Sequence, residues 1–366
     1  MRCQIKLVVT CLIVVSVIVG VVGAGALAQA SEKREVVIDI WGGPFGGSIY
    51  TAAFALSDVL NKTHPWLKAS MRSSKGSNDN ILNSGKNPAK RATTLFLSGG
   101  SAANTAFLGT GAFKGRVTKG YKVIGVAVAN WSFWMTTDPN IKRGKDLAGK
   151  RIGMWPRGSG GWTIGEKFGL QQIWGVYDKV KSIDYMSPAD FMAALKDGLV
   201  DAVPFNTPVI PAKEKPTSVL SAAFAEVLSS GKPIYPITIT KEEYETGAAT
   251  ARDKGDYPWQ WAEVPAGMFK GAENWPAFGA APYVNSFYCW EEAGEDVIYE
   301  VTKALIENTD KWSYYGAYTV SMVPEIIVGR IPHHAEGEIH PGALKYYKEK
   351  GLIPKYWKAT EAKPRY

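Results

Sequence analysis

Short apolar stretches alternate with helix-like stretches along most of this 366-residue chain. The first apolar stretch is Val36–Trp41, and a Gly-rich loop separates it from an amphipathic segment, residues 48–62. A second apolar stretch, Leu67–Arg72, again precedes a polar loop and a helix start. Strands that alternate with helices in this way are typical of βαβ units, in which parallel strands share one sheet. The alternation predicts an α/β fold.

The alternation continues through the middle and the end of the chain. The sequence predicts strands at residues 183–186, 200–205 and 235–240, and a helix that has Ser187 as its N-cap and Pro188 as its first residue. Three further helices are expected near residues 294–308, 318–328 and 340–351. Residues 259–282, which are rich in aromatic, Gly and Pro residues, are predicted to be irregular.

Residues 146–162 carry the most information about function. A polar lead-in, a short strand at residues 151–155 and a Gly-rich turn precede another helix start. Such a turn directs free backbone N–H groups and the positive end of a helix toward an anion. Arg157 adds a cation to the same turn. The anion could be the phosphate of a nucleotide in an enzyme or the carboxylate of a bound small molecule.

Signatures of nucleotide binding and of hydrolysis are missing. Ser159 stands where a phosphate-binding loop has its lysine, and no G-x-S-x-G nucleophile motif is present. The chain has only four histidines. His333, His334 and Glu336 fit a polar turn and His340 fits a helix start better than they fit the spacing of a zinc site. The sequence therefore predicts no metal, no cofactor and no enzymatic activity.

The first 30 residues are typical of a secretory signal peptide. Arg2 and Lys6 precede a short apolar stretch, and residues 28–30 read Ala-Gln-Ala, which predicts cleavage after Ala30 and a periplasmic location. A retained membrane anchor remains the alternative. The net charge of +8 is spread without a dense basic block, which argues against nucleic acid as a partner. Cleavage would leave Cys289 as the single cysteine, expected to be a small buried side chain.

Three Gly- and Ser-containing loops, residues 42–48, 74–80 and 156–162, follow predicted strands. The carboxyl ends of parallel strands are where α/β proteins bind ligands, so these loops can line one cleft. Each polar side chain has a competing role, since Ser and Asn can cap their own helices, Arg157 can be solvated and Trp can belong to the core. On this basis the candidate ligand-binding residues are Gly47, Ser48, Ser77, Asn80, Trp155, Arg157, Ser159, Gly160, Trp162 and Asn206.

Seven segments in order resemble the TAXI family of solute-binding proteins of TRAP transporters. They are GPFGGSIY (43–50), GSNDN (76–80), DLAGKRI (146–152), GSG (158–160), ALKDGLVDA (194–202), PAGMF (265–269) and HPGALKYYKEKGL (340–352). The resemblance implies a two-lobed periplasmic binding protein fold of type II, each lobe a mainly parallel sheet flanked by helices. Residues 31–130 plus 241–366 would form the first lobe and residues 131–240 the second. Tyr121–Thr136 and residues 235–240 would form the hinge.

The same resemblance implies a receptor, not an enzyme, that delivers a small organic anion to the membrane subunits of an ion-gradient-driven TRAP transporter. Ser48, Tyr50, Ser77, Asn80 and the turn at residues 158–160 match the cleft motifs of the family. A receptor for an ATP-driven importer, or an enzyme on the same scaffold, would share these features. The chain is expected to act as a monomer.

One segment departs from the pattern of the family. Residues 85–101 lack the acidic residue that usually faces the ligand and carry basic and hydroxyl residues instead. The chain also contains 13 tryptophans. Both features favour a bulkier or aromatic acid over glutamate as the bound molecule.

Overall fold

A computed structural model describes residues 34–157, 165–209, 218, 222–253, 261–329, 331 and 338–353. The strands within these ranges are β1 (Val36–Trp41), β2 (Leu67–Arg72), β3 (Thr94–Gly99), β4 (Tyr121–Thr136), β5 (Arg151–Met154), β6 (Ser182–Tyr185), β7 (Ala202–Pro208), β8 (Tyr235–Ile237), β9 (Ala262–Val264) and β10 (Phe278–Trp290). The α-helices are α1 (Ser48–Thr63), α2 (Ser77–Ser84), α3 (Pro88–Arg91), α4 (Gly100–Leu108), α5 (Pro188–Lys196), α6 (Ala222–Ser229), α7 (Lys241–Asp253), α8 (Glu295–Glu307), α9 (Pro324–Ile327) and α10 (Pro341–Glu349). A π-helical turn covers Gly169–Ile173. Short 3₁₀ turns lie at Gly111–Phe113, Gly144–Leu147, Tyr177–Lys179, Trp312–Tyr315 and Thr319–Ser321.

The strands form one mixed sheet in the order β2-β1-β3-β10-β4-β7-β5-β6. Parallel pairing joins β1 to β3, and β5 to both β6 and β7. Antiparallel pairing joins β10 to β3 and β4, and β4 to β7. The parallel pairs therefore lie in two groups, and the long strands β4 and β10 connect them. Helices pack beside the strands, α1 against β2 and α2 against β3 among them.

β4 and β10 connect the two groups because each is long enough to pair with the other and with a further strand. β4 pairs with β10 from Tyr121 to Ser132, and with β7 from Asn130 to Thr136. β8 takes the place of β10 beside the last three residues of β4. Every residue of β4 from Val123 onward is buried. A long run of apolar, β-branched and aromatic residues is what a central strand buried on both faces requires.

Hydrophobic clusters cover both faces of the second half of β4. Trp131, Phe133 and Met135 pack with side chains of β7, α5, α6 and residues 264–280. Trp134, on the opposite face, packs with Ile152, Met154 and the π-helical turn. This division follows from the alternation of side chains along a strand. It places Asn130 and Ser132, which follow the irregular part of β4, on the Trp134 face.

The predicted α/β fold is confirmed, together with the helix and strand alternation on which it was based. Two local predictions are wrong. Residues 278–282 are not irregular, because they begin β10, where Gly279 permits a close backbone approach. Residues 318–328 do not form one helix, because Val323 is extended before Pro324, and a residue that precedes proline avoids the helical conformation. The predicted signal peptide lies outside the described residues.

We expect Gly279→Ala to destabilise the protein. A Cβ atom at Gly279 would lie 1.8 Å from the backbone oxygen of Ile239, so the connection after β8 would have to move away from β10. Overpacking of this kind lowers the free energy of unfolding by about 1–3 kcal/mol, which urea denaturation can measure. Gly294→Ala is the control, because the nearest atom there is 3.0 Å away and belongs to the flexible side chain of Asp296. Equal losses in the two variants would contradict the close approach.

Candidate functional site

A buried polar contact joins the start of α1 to the middle of β10. Ser48 is the first residue of α1, and its Oγ accepts a hydrogen bond of 3.3 Å from Nδ2 of Asn285. Both side chains are at least 95% buried. A bulge of β4, in which Ala127 is the extra residue, lies opposite Asn285 and Ser286 of β10. Bulges redirect side chains, and this one lies where Asn285 reaches toward the loop that follows β1.

Ser77 and Asn80, at the start of α2, bind the carboxyl ends of neighbouring strands. Asn80 Nδ2 donates to the carbonyl oxygens of Gly42 at 2.6 Å and Leu97 at 2.7 Å. Ser77 Oγ accepts a hydrogen bond of 3.0 Å from the backbone N–H of Gly99. These two predicted site residues therefore hold β1 and β3 at the edge where the loops converge.

A second cluster of polar side chains lies in the second half of β4. Asn130 and Ser132 are two residues apart and share the Trp134 face. Asn206 of β7 is paired directly with Ser132 in the strand register, so the two side chains are cross-strand neighbours. Asn130 and Asn206 are 1% and 2% exposed, yet neither amide atom of Asn130 nor Oδ1 of Asn206 has a hydrogen-bond partner among the described residues.

The side chain of Glu166 lies against this second polar cluster. Its Oε1 accepts a hydrogen bond of 2.7 Å from the hydroxyl of Ser132. The side chain is 1% exposed, and Oε2 has no partner within the described part of the chain. Burial raises the pKa of Glu166 to about 8, although the Ser132 hydroxyl and the Trp134 indole act in the opposite direction. Glu166 is therefore mainly protonated at neutral pH.

The polar cluster at the starts of α1 and α2 and the polar cluster around Ser132 adjoin each other along the β4–β10 pair. The hydroxyl of Tyr283 lies beside Gly99, since a Cβ atom built on Gly99 would be 1.6 Å from it. Tyr283 is in turn paired with Asn130 across the strands. We call the combined set the polar belt: Ser48, Ser77, Asn80, Asn130, Ser132, Glu166, Asn206, Tyr283 and Asn285.

The polar belt can hold a small molecule through several hydrogen bonds. It offers amide and hydroxyl donors, amide oxygens and one carboxyl group. A buried polar group without a partner destabilises a fold by about 1–3 kcal/mol, so native proteins keep such groups where another role requires them. Asn130, Asn206 and Glu166 share one neighbourhood around Ser132, which is consistent with a common ligand.

Other predicted site residues lie away from the belt or at its margin. Trp155 is 7% exposed and belongs to the hydrophobic cluster with Trp131. The exposed Arg157 stacks its guanidinium 4.5 Å above the ring of Tyr185. Tyr50 is half-buried and meets Phe45 edge to face. Gly47 is the N-cap of α1, one residue before the predicted cap at Ser48. Ser159, Gly160 and Trp162 lie outside the described residues.

The sequence interpretation missed Asn130, Ser132, Glu166, Tyr283 and Asn285. A weak signal for three of them exists, because Asn130, Ser132 and Asn285 interrupt otherwise apolar strand sequences. A polar residue in a buried strand needs a partner, and that need could have marked the positions. Glu166 has no comparable signal, because a single acid at the start of a helical segment is ordinary.

His340 and Cys289, both of which carry side chains capable of chemistry, have structural roles. His340 caps α10, with Nδ1 accepting from the N–H of Gly342 and Nε2 3.1 Å from the carbonyl oxygen of Ala293. Burial lowers the pKa of His340. Cys289 is fully buried as predicted, and burial raises the pKa of its thiol. His333, His334 and Glu336 are outside the described ranges.

The described residues contain no group of three or more His, Cys, Asp or Glu side chains arranged to hold a metal ion. None of the helices in the described ranges combines the length and apolarity that crossing a membrane requires.

We expect Glu166 to make stability fall as the pH rises. Its pKa of about 8 in the folded protein exceeds that of an unfolded glutamate, so the folded state holds a proton that the unfolded state releases. Its contribution is complete below pH ~4.5 and is lost up to pH ~8, at about 1.4 kcal/mol per pH unit in the middle of that window. Urea denaturation from pH 5 to 8 should show this slope in the wild type and lose it in Glu166→Gln. An unchanged slope in the variant would contradict the buried acid.

Comparison with known proteins gives a family match over most of the chain. The model of the NMT1-like family matches residues 40–351. A search among curated proteins gave no match.

Solved structures resemble the chain at low identity. MatC (Rpa3494) from Rhodopseudomonas palustris, with bound malate, is 12% identical at a TM-score of 0.49, over 89% of this chain and 98% of that one. Rpa4515 from R. palustris, with adipate, is 14% identical at a TM-score of 0.45, over 79% and 89%. The periplasmic aliphatic sulphonate binding protein SsuA from Escherichia coli is 13% identical at a TM-score of 0.40, over 87% and 94%. These are distant likenesses in shape, and the family match carries the assignment. This chain belongs to the NMT1-like family.

Proposed function

We propose that this chain is a periplasmic solute-binding receptor of the TAXI type. It captures a small organic acid at the polar belt and delivers it to the membrane subunits of a TRAP transporter. The observation that carries this proposal is the set of buried polar atoms on Asn130, Asn206 and Glu166 that have no partner in the part of the chain that the structure describes. A signal peptide over residues 1–30 and the ordered TAXI-like segments support the location and the transporter class.

The architecture suits a receptor that closes around its ligand. In the proposed arrangement the two groups of parallel strands belong to two lobes, and β4 and β10 form the hinge between them. The second lobe includes residues 264–280 as well as 131–240, because both pack in one hydrophobic cluster. Bending at a few strand residues would change the distance between the lobes while each keeps its own core.

The composition of the belt suits a neutral-to-anionic ligand with several oxygen atoms. The amide nitrogen of Asn130, which has no partner among the described residues, offers a donor for carboxylate oxygens, and Oδ1 of Asn206 offers an acceptor for a ligand hydroxyl or acid proton. The amino-terminal ends of α1 and α2 lie at the strand ends held by Asn80, and helix amino termini favour negative charge. The aromatic content of the chain supports an acid with an apolar or aromatic body.

A ligand screen tests the proposal directly. The mature chain, starting at Ser31, is examined by native mass spectrometry and then by thermal shift against carboxylates and sulfonates. An acid present at a hundred times its Kd should stabilise the protein by about 2.7 kcal/mol. Asn130→Ala should weaken that acid at least about tenfold, since its free amide nitrogen can donate to the carboxylate and a hydrogen bond to a charged group contributes about 1.5–3 kcal/mol. Asn140→Ala, in an exposed turn, is the control and should bind normally. Failure of every organic acid to bind would refute the proposal.

The role of Arg157 is tested separately. If its guanidinium leaves Tyr185 to hold the ligand carboxylate, Arg157→Ala should weaken the acid found in the screen by about 10- to 100-fold. Arg91→Ala is a matched control, because Arg91 also stacks 4.5 Å above a ring, that of Trp290, near Gly85. Affinity is measured by isothermal titration calorimetry. Unchanged affinity in Arg157→Ala would remove this residue from the site and leave the polar belt as its centre.

A further inference from the structure

The two oxygens of Glu166 differ in their surroundings. Oε1 receives the hydroxyl hydrogen of Ser132 at 2.7 Å and therefore acts as an acceptor. Oε2 is buried and has no hydrogen-bond partner in the described structure. A protonated carboxyl group has one donor oxygen and one acceptor oxygen. Because Oε1 accepts, the proton of the acid form belongs on Oε2.

Within the described residues, the groups that act on Glu166 are neutral. Ser132 and Trp134 act on it from β4, and Asn130 and Asn206 are their neighbours on the same face of β4 and β7. The cations nearest in the chain, Arg157 and Lys167, lie over the rings of Tyr185 and Tyr177. A buried carboxylate without a cation is strongly disfavoured, so these surroundings select the neutral acid.

We propose that Glu166 is a ligand-binding residue, whose protonated carboxyl group donates a hydrogen bond from Oε2 to an oxygen atom of the bound organic acid. This inference rests on the proposed function and specifies the chemistry of the same site. Oε2 lies on the side chain bonded to Ser132, and Asn130, whose amide nitrogen has no partner among the described residues, lies two residues before Ser132 on the same face, so one ligand carboxylate can accept from both Glu166 and Asn130. The anion is then held by neutral donors within the belt.

The proposal determines the class of ligand. A carboxylate accepts the hydrogen bond from the neutral acid, whereas an ammonium group would require ionised Glu166. The group that enters this part of the belt is therefore an acid and not an amine. Because the ligand binds the protonated form, binding and protonation of Glu166 are thermodynamically linked. Affinity should be constant at low pH and fall about tenfold per pH unit above pH ~8.

The test uses phenylacetate and succinate as acid probes and phenethylamine as the amine matched to phenylacetate. Isothermal titration calorimetry measures affinity from pH 6 to 9.5 for the wild type, Glu166→Gln, Glu166→Ala and the exposed-site control Glu263→Gln. In the wild type and in Glu263→Gln, acid affinity should fall about tenfold per pH unit above pH ~8. Glu166→Gln keeps a donor but cannot titrate, so its affinity should stay within a few-fold of the wild type below pH 7.5 without the fall. Glu166→Ala should bind at least about tenfold more weakly at every pH.

A measurement on the unmodified protein guards against variants that fail to fold. Calorimetry at pH 8.5 in two buffers with different ionisation heats should show uptake of roughly half a proton or more per bound acid. Acid binding that is independent of pH and takes up no proton overturns the role of Glu166 but leaves the receptor function standing. Tighter binding of phenethylamine with rising pH overturns it as well, because Glu166 would then be a counter-ion. Failure of these probes and of every acid in the wider screen overturns the receptor function itself.

Discussion

The antiparallel pairing of β4 with β10 is the interaction on which the rest of this structure depends. Each strand pairs with the other over most of its length, and each also pairs with a different group of strands. The hydrogen bonds of this pair therefore connect both groups of parallel strands. Burial on both faces requires the pair to be apolar, and most of its residues are. The polar exceptions are Asn130, Ser132, Thr136, Asn285 and Ser286, and those that belong to the polar belt are the most informative residues of the pair.

Burial also explains the chemical character of the polar belt. In water Asn, Ser and Glu side chains would be fully solvated, but within the sheet they can interact only with one another or with a bound molecule. Asn80 Nδ2 and Ser77 Oγ bond to strand-end carbonyl and amide groups, so they position the loops. Asn130, Asn206 and Glu166 retain unused hydrogen-bonding atoms. The belt thus divides into residues that organise the site and residues available to a ligand.

Much of the fold could be predicted from local patterns, but part of the site could not. Leu67–Arg72 and the segment after Ser48 have clear strand and helix patterns. The start of β10 was missed because Gly279 and Pro282 are residues that usually interrupt strands. Its partners in β9 and in the segment after β8 come from distant parts of the chain. Glu166 could not be recognised, because its special property is created by burial against Ser132 and not by its neighbours in sequence.

The sequence by itself determined the α/β class and the positions of the loops that follow β1 and β2, and it marked Ser77, Asn80 and Asn206 as candidates for the site, although it placed Asn206 beyond a strand and the structure places it within β7. These follow from periodicity and turn chemistry, which act over a few residues. Only the tertiary structure decided that Asn206 lies opposite Ser132, that Asn285 reaches Ser48 and that Glu166 becomes a neutral acid. Strand register and desolvation produce these relations, and both arise from contacts between residues far apart in the chain.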